Sequence, residues 1–304
     1  SAGGRPKGVR SMRNWVLRGA IAVAVVCIAN ADTTIEEMKP FGSKGEIEIV
    51  ITSGSVTVEA WDEPMIQVTG AISARAGNFE FSIDDDDAKI RVVHPRNGKS
   101  VGSSKLLVRM PRTCDDLRIK VTSGKIDVRG IEGELTIEST SGTVDLADIK
   151  GEVRAQTVSG DLNIQGVLKE CEAKVVSGDL VLRIDAGEVT AGTISGAILI
   201  EGNIADRLEC SSVSGNVTYK GTVAKNADLE LKSHSGNVTV ALPADVSADF
   251  ELQSFSGSIR NALSDDPVQR PPYGPGSSVE FSLHDGDASI EAETFSGNVT
   301  LTNR

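Results

Sequence analysis

The sequence predicts an all-β chain wound as a single-stranded parallel β-solenoid, with coils of about 18–21 residues and two short strands in each. Three observations carry this. Ten Ser-Gly pairs punctuate the 304 residues, and those beginning at Ser123, Ser141, Ser159, Ser177 and Ser195 recur every 18 residues without a slip. One short unit is therefore laid down repeatedly. Apolar residues alternate with polar ones on both sides of each pair, the period of strands with one buried face. A composition of 31 glycines and only 4% aromatic residues suits many tight turns better than a core of large rings.

The chain begins with Arg5, Lys7, Arg10, Arg13 and Arg18, then an apolar run from Gly19 to Ala29, then Ala29-Asn30-Ala31. Basic, apolar and small residues in that order predict a secretory signal peptide over 1–31, complete if counted from Met12. The run is too short for the roughly 20 residues of a membrane span. An exported protein of the periplasm, cell envelope or cell surface is expected, with no stable membrane span after cleavage. Removing residues 1–31 leaves 26 basic against 43 acidic residues, a net charge of −17. Such a surface repels nucleic acid and anionic lipid.

Residues 32–116 are expected to form irregular β coils with loops. The pair at Ser53 obeys the repeat, with Ile47, Ile49, Val56 and Val58 at inward positions. The 70 residues from Ser53 to Ser123 have room for three unmarked coils. Asp84 to Asp87 and His94 to Ser104 are read as loops.

Residues 117–304 form the regular part. Six and four places before each serine stand pairs such as Leu117/Ile119, Cys171/Ala173 and Leu208/Cys210. Three and five places after it stand Ile126/Val128, Leu180/Leu182 and Val217/Tyr219. Stacking coils about 4.8 Å apart buries both sets and pairs each backbone with its neighbours. The Pro-rich segment within 264–278 cannot lie in a paired strand and is expected to bulge out as a loop. One unmarked coil fits between Ser256 and Ser296, for fourteen coils and a rod of roughly 65 Å. The last coil ends at Val299-Thr300-Leu301 without a cap, which predicts an open edge for end-to-end self-association. The left-handed helix of hexapeptide acyltransferases is excluded, because stepping by six from Leu117 meets Ser123 and Arg129.

The repeated Gly-Glu-aliphatic followed by Ser-Gly-x-aliphatic-x-aliphatic, with Ile51-Thr52-Ser53-Gly54-Ser55-Val56-Thr57-Val58 and then Trp61-Asp62, resembles the exported bacterial proteins called putative adhesins. They are a domain-of-unknown-function family, and the resemblance covers about residues 42–304. It implies a β-solenoid in the cell envelope and no established enzymatic activity. It supplies no catalytic residues to carry over.

Candidate chemistries lie in columns of the stack. Seven places before the serines, eight of ten residues are acidic, including Glu134, Glu152, Glu170 and Glu188. Neighbouring carboxylates about 4.8 Å apart repel by roughly 0.9 kcal/mol in water. They either splay into solvent or form a low-affinity strip for a divalent cation such as Ca2+ or a cationic polymer; no other cofactor is expected. Immediately before the serines stand Thr122, Thr140, Val158, Val176, Ile194, Val213, His234, Phe255 and Phe295. Inward packing through a bulge is the expectation, because the residues two before serine are often Ser or Thr and fill a core poorly. Pointing outward, Val158, Val176, Ile194 and Val213 make an apolar ridge, the candidate interaction face.

Three cysteines follow the signal. Cys171 and Cys210 sit two coils apart, about 10 Å, too far for a disulfide, and Cys114 is left open. Gly98-Lys99-Ser100 lacks the rest of a phosphate-binding loop. His94, His234 and His284 read as ordinary loop or turn residues. The N-x-Thr sequons at Asn216, Asn237 and Asn298 read as turn residues beside Ser-Gly. The function expected is a non-catalytic envelope or surface β-solenoid that is adhesin-like or scaffolding, binding protein or polysaccharide. The alternative is a carbohydrate-active β-helix enzyme using outward carboxylates, Asp127 with Asp145 or Asp161 with Asp179.

Overall fold

A computed structural model describes residues 32–304, apart from 43, 74, 94–101 and 273–274. The expected signal peptide, His94 and Gly98-Lys99-Ser100 lie outside the described residues. Among those described, no helix is long and apolar enough to cross a membrane.

Val144–Ser159, Leu162–Ser177, Leu180–Ser195 and Ile198–Ser214 are strands of 16 or 17 residues, each ending at the serine of a Ser-Gly pair. They pair in parallel, so Ser159, Ser177, Ser195 and Ser214 stand directly over one another. The fold is the parallel β-solenoid expected. The two arms of each coil are joined at the second corner without leaving the ladder. There the register slips, between Ile164 and Gly166 and between Ala186 and Glu188, because a bulge turns the chain while keeping most of its backbone hydrogen bonds.

The Ser-Gly corner is sharper, and its glycine is dictated by space. Gly160 has φ of 131°, and a Cβ there would lie 2.0 Å from the carbonyl oxygen of Gly142 in the coil beneath. No side chain fits such an approach. Inside, Leu117, Leu135 and Val153 share one buried cluster with Ile126, Val144 and Leu162. Each such side chain contributes about 2 kcal/mol, so the core grows by a similar increment with every coil. Tyr219 takes an aliphatic position, and its hydroxyl donates to the Thr222 carbonyl at 2.6 Å.

Three expectations about the ends are overturned. Glu46–Trp61 pairs directly with Thr113–Arg129, Ser53 beside Ser123, so no unmarked coil lies between them. The intervening chain builds a layer on the outer side instead. Asp87–Val93 and Ser104–Pro111 run parallel to Glu46–Trp61, and antiparallel Thr33–Pro40, Met65–Ile72 and Asn78–Asp84 close that end. At the other end Ser235 pairs with Ser296, and Ser296 with Ser256. The last coil is thus interior: Val299–Leu301 lies between Val238–Val240 and Ile259–Asn261, and it is no open edge. The prolines after residue 266 carry the chain out of the stack, since proline cannot donate to a ladder. It returns as Ser277–Leu283, antiparallel to Ala248–Ser256, and only then inserts the final coil. The stack holds ten Ser-Gly coils rather than fourteen, about 43 Å from first corner to last.

Candidate binding face along the Ser-Gly corner

Where Asp or Asn follows the glycine, its side chain holds neighbouring corners in line. Asp161 accepts the Asp179 backbone N–H at 3.0 Å, and Asp179 accepts that of Ala197 at 2.8 Å. Asn216 and Asn237 do the same for Asn237 and Asn298, each at 2.9 Å. Turn chemistry therefore accounts for the three N-x-Thr sequences. It also commits Asp161 and Asp179 to backbone capping, where they are no free acid and base.

Beside this line the residues immediately before the serines face solvent, which corrects the expectation of inward packing. Val158, Val176, Ile194 and Val213 are 43–53% exposed. Of the seven large apolar side chains exposed among the described residues, six belong to this one column, Val167 being the exception. The residues two before serine point inward instead, including Ser139, Thr157, Thr193 and Ser212. Toward the C-terminal end of the stack the hydroxyls in this column reach a carbonyl of the neighbouring coil. Ser233 donates to Gly215 O at 3.0 Å and Thr294 to Gly236 O at 2.8 Å. The hydroxyls of Ser139, Thr157, Thr193 and Ser212 are buried without a partner.

The ridge borders an open groove of about 740 Å³ that runs from Val50 to Val213. Toward the C-terminal end aromatic rings continue it. His234 stacks on Phe295 with centroids 5.0 Å apart, and Phe295 stacks on Phe255 at 4.6 Å. Their order along the rod was hidden in the sequence, where Phe255 precedes Phe295. The hydrogen bond of His284 to the Val246 carbonyl, 2.9 Å, marks it as a loop anchor.

The carboxylate column is in register, Glu134, Glu152, Glu170 and Glu188 standing one above another. Arg154 reaches into it, 3.0 Å from Glu134 and 3.7 Å from both Glu170 and Glu172. Among the described residues no group of three or more His, Cys, Asp or Glu is arranged to hold a metal. Asp127 accepts two hydrogen bonds from Arg129, at 2.8 and 3.0 Å. Asp145 bridges Lys125 at 2.8 Å and accepts from Asn163 at 2.9 Å. Desolvation alone would raise the Asp145 pKa, but these two hydrogen bonds outweigh it and hold the carboxyl below its ordinary value. A general acid needs the opposite shift. The three cysteines are free and buried. Desolvation pushes Cys114, with help from Asp116 and Asp115, and Cys171, with help from Glu170, up to about 12. They are small core residues without a reactive thiolate.

Among the described residues, the stacked coils present an apolar column that runs as a line along one corner of the solenoid. The chain belongs to the Toastrack DUF4097 family, whose match spans residues 46–302. Among curated proteins none matches it. Solved structures similar to it include a putative adhesin from Bacteroides fragilis, 13% identical, covering 89% of this chain and 97% of that one, with a TM-score of 0.40. A putative adhesin from Parabacteroides merdae is 10% identical over 89% and 96%, with a TM-score of 0.42. A putative lipid binding protein from Parabacteroides distasonis is 11% identical over the same shares, with a TM-score of 0.33.

Proposed function

We propose that this chain is a non-catalytic β-solenoid of the cell envelope or surface that works as an adhesin-like or scaffolding protein, with the apolar corner ridge as its binding face. The observation that carries the reading is the concentration of exposed large apolar residues in one column, when single scattered ones are the norm on a protein surface. The basic, apolar and small N-terminal order supports export. Commitment of the outward carboxylates to arginine, lysine and backbone N–H partners supports a non-catalytic role.

The test is capture from envelope extract by the wild-type protein and by Ile194→Arg, with and without calcium. The half-exposed Ile194 tolerates a charge without disturbing the core. Capture that disappears in the variant supports the reading. Equal capture by both proteins, or hydrolysis of any member of a neutral and anionic glycan panel, defeats it.

A further inference from the structure

We propose that the ridge is self-complementary, and that its partner is a second copy of this chain lying antiparallel along the full length of the rod. The proposal rests on the ridge being the binding face and names what covers it. It follows from the charges that flank the ridge once the coils are placed in spatial order. That order, by corner serine, is 53, 123, 141, 159, 177, 195, 214, 235, 296 and 256.

Three places before each serine a column lines the groove beside the ridge, and two places after it a second column stands across the Ser-Gly corner. The first carries Lys120, Glu138, Lys174, Lys232 and Glu293; the second carries Lys125, Asp161 and Asp179. These two columns hold four positive and four negative groups, and within the chain Lys120 pairs with Glu138, Lys232 with Glu293 and Lys125 with Asp145. The columns carry no net charge on a chain whose net charge is −12. A second copy is repelled least there.

A twofold axis lying across the rods sets each column against its own copy with the coil order reversed. At full overlap Val176 meets Ile194, Val158 meets Val213, Thr140 meets His234 and Thr122 meets Phe295. In the flanking column Lys120 then meets Glu293 and Glu138 meets Lys232. Lys174 faces Gly192. On the other side Lys125 meets Asn298, Asp161 meets Asn216 and Asp179 meets Ala197. No like charges oppose one another, and the symmetry makes every pairing occur twice.

The alternatives are worse. Sliding by one coil in one direction sets Lys120 against Lys232 and Lys174 against itself. Sliding one coil the other way sets Glu138 against Glu293. Parallel rods bring Lys120 against Lys125. The charges therefore select one orientation and reject the adjacent registers, as specific interfaces do. A strip about 43 Å long and roughly 15 Å wide is on the order of 650 Å² per copy, near the lower bound of standard interfaces.

The experiment is sedimentation of full-length protein over a concentration series, with circular dichroism to confirm the fold of each variant. A dimer is expected for the wild type and a monomer for Ile194→Arg. Lys120→Glu and Glu293→Lys alone should each weaken dimerisation about tenfold, and the double exchange should restore it. Lys120 and Glu293 are seven coils apart within one chain, so only contact between copies can produce that rescue. A wild type that stays monomeric overturns the proposal, as does a double variant no better than either single one. If the wild type is monomeric while Ile194→Arg still loses envelope capture, the binding face stands and self-pairing falls.

Discussion

The hydroxyls two places before the corner serines show what a single polar atom is worth in this core. Ser233 donates to Gly215 O, while the Thr157 hydroxyl, equally buried, has no partner. Thr157→Val should therefore raise stability by about 1 kcal/mol, and Ser233→Ala should lower it by a similar amount. Urea unfolding of the two variants reads the opposite signs directly; a shift in the same direction for both would refute the assignment. The thiols give a pH dependence. Their folded pKa values lie above the unfolded one, so their contribution is complete below about pH 8.5 and drains away as pH rises toward the folded value. Cys114 and Cys171 reach about 12 in the fold. Midpoints measured from neutral pH to about pH 11 should fall more steeply for wild type than for Cys171→Ala. Parallel curves would show that burial of this thiol does not control the slope.

From Gly124 onward, each Ser-Gly corner is an element in which glycine rests on glycine. At Gly160 both the positive φ and the 2.0 Å approach of Gly142 O exclude a side chain, so Gly160→Ala should cost about 3 kcal/mol or more. Gly192 is the control. A Cβ there meets nothing closer than 3.8 Å, and Gly192→Ala should be neutral or slightly stabilising. Thermal unfolding separates the two cases, and equal losses would mean that corner packing is not the cause of the repeat. The carboxylate column obeys a similar stacking logic. Its members are held in line by the ladder whatever their charge, and Arg154 from the adjacent column offsets their mutual repulsion.

For the whole rod, chain order and spatial order part company at both ends. The coil of Ala288–Ser296 and Val299–Asn303 fills a slot between the Ser235 and Ser256 coils. Truncation after Asp287 should thus open the middle of the C-terminal stack rather than trim its tip. Limited proteolysis is expected to release Ala248–Leu283 rapidly from the truncated protein and slowly from the intact one. Equal protection in both would place the last coil at the end after all.

The parallel solenoid, the inward columns, the glycine corners, the burial of Cys171 and Cys210 and the in-register carboxylates were legible in residue spacing, because each follows from a period of two within strands and of 18 between coils. Two things were not. The side of the ridge depended on whether Val158 or Thr157 entered the corner. A hydrogen bond to the neighbouring coil supports the inward hydroxyl at Ser233, but the equally buried Thr157 has none, so hydropathy gives the wrong side there. The order of the terminal coils depended on which strand edge the returning chain found, a matter of long-range pairing that carries no local signal. Spacing thus specified what each coil is and which residues share a column. Three-dimensional packing alone settled which way the corner faces and which coil is whose neighbour, since both rest on contacts between segments distant in the chain.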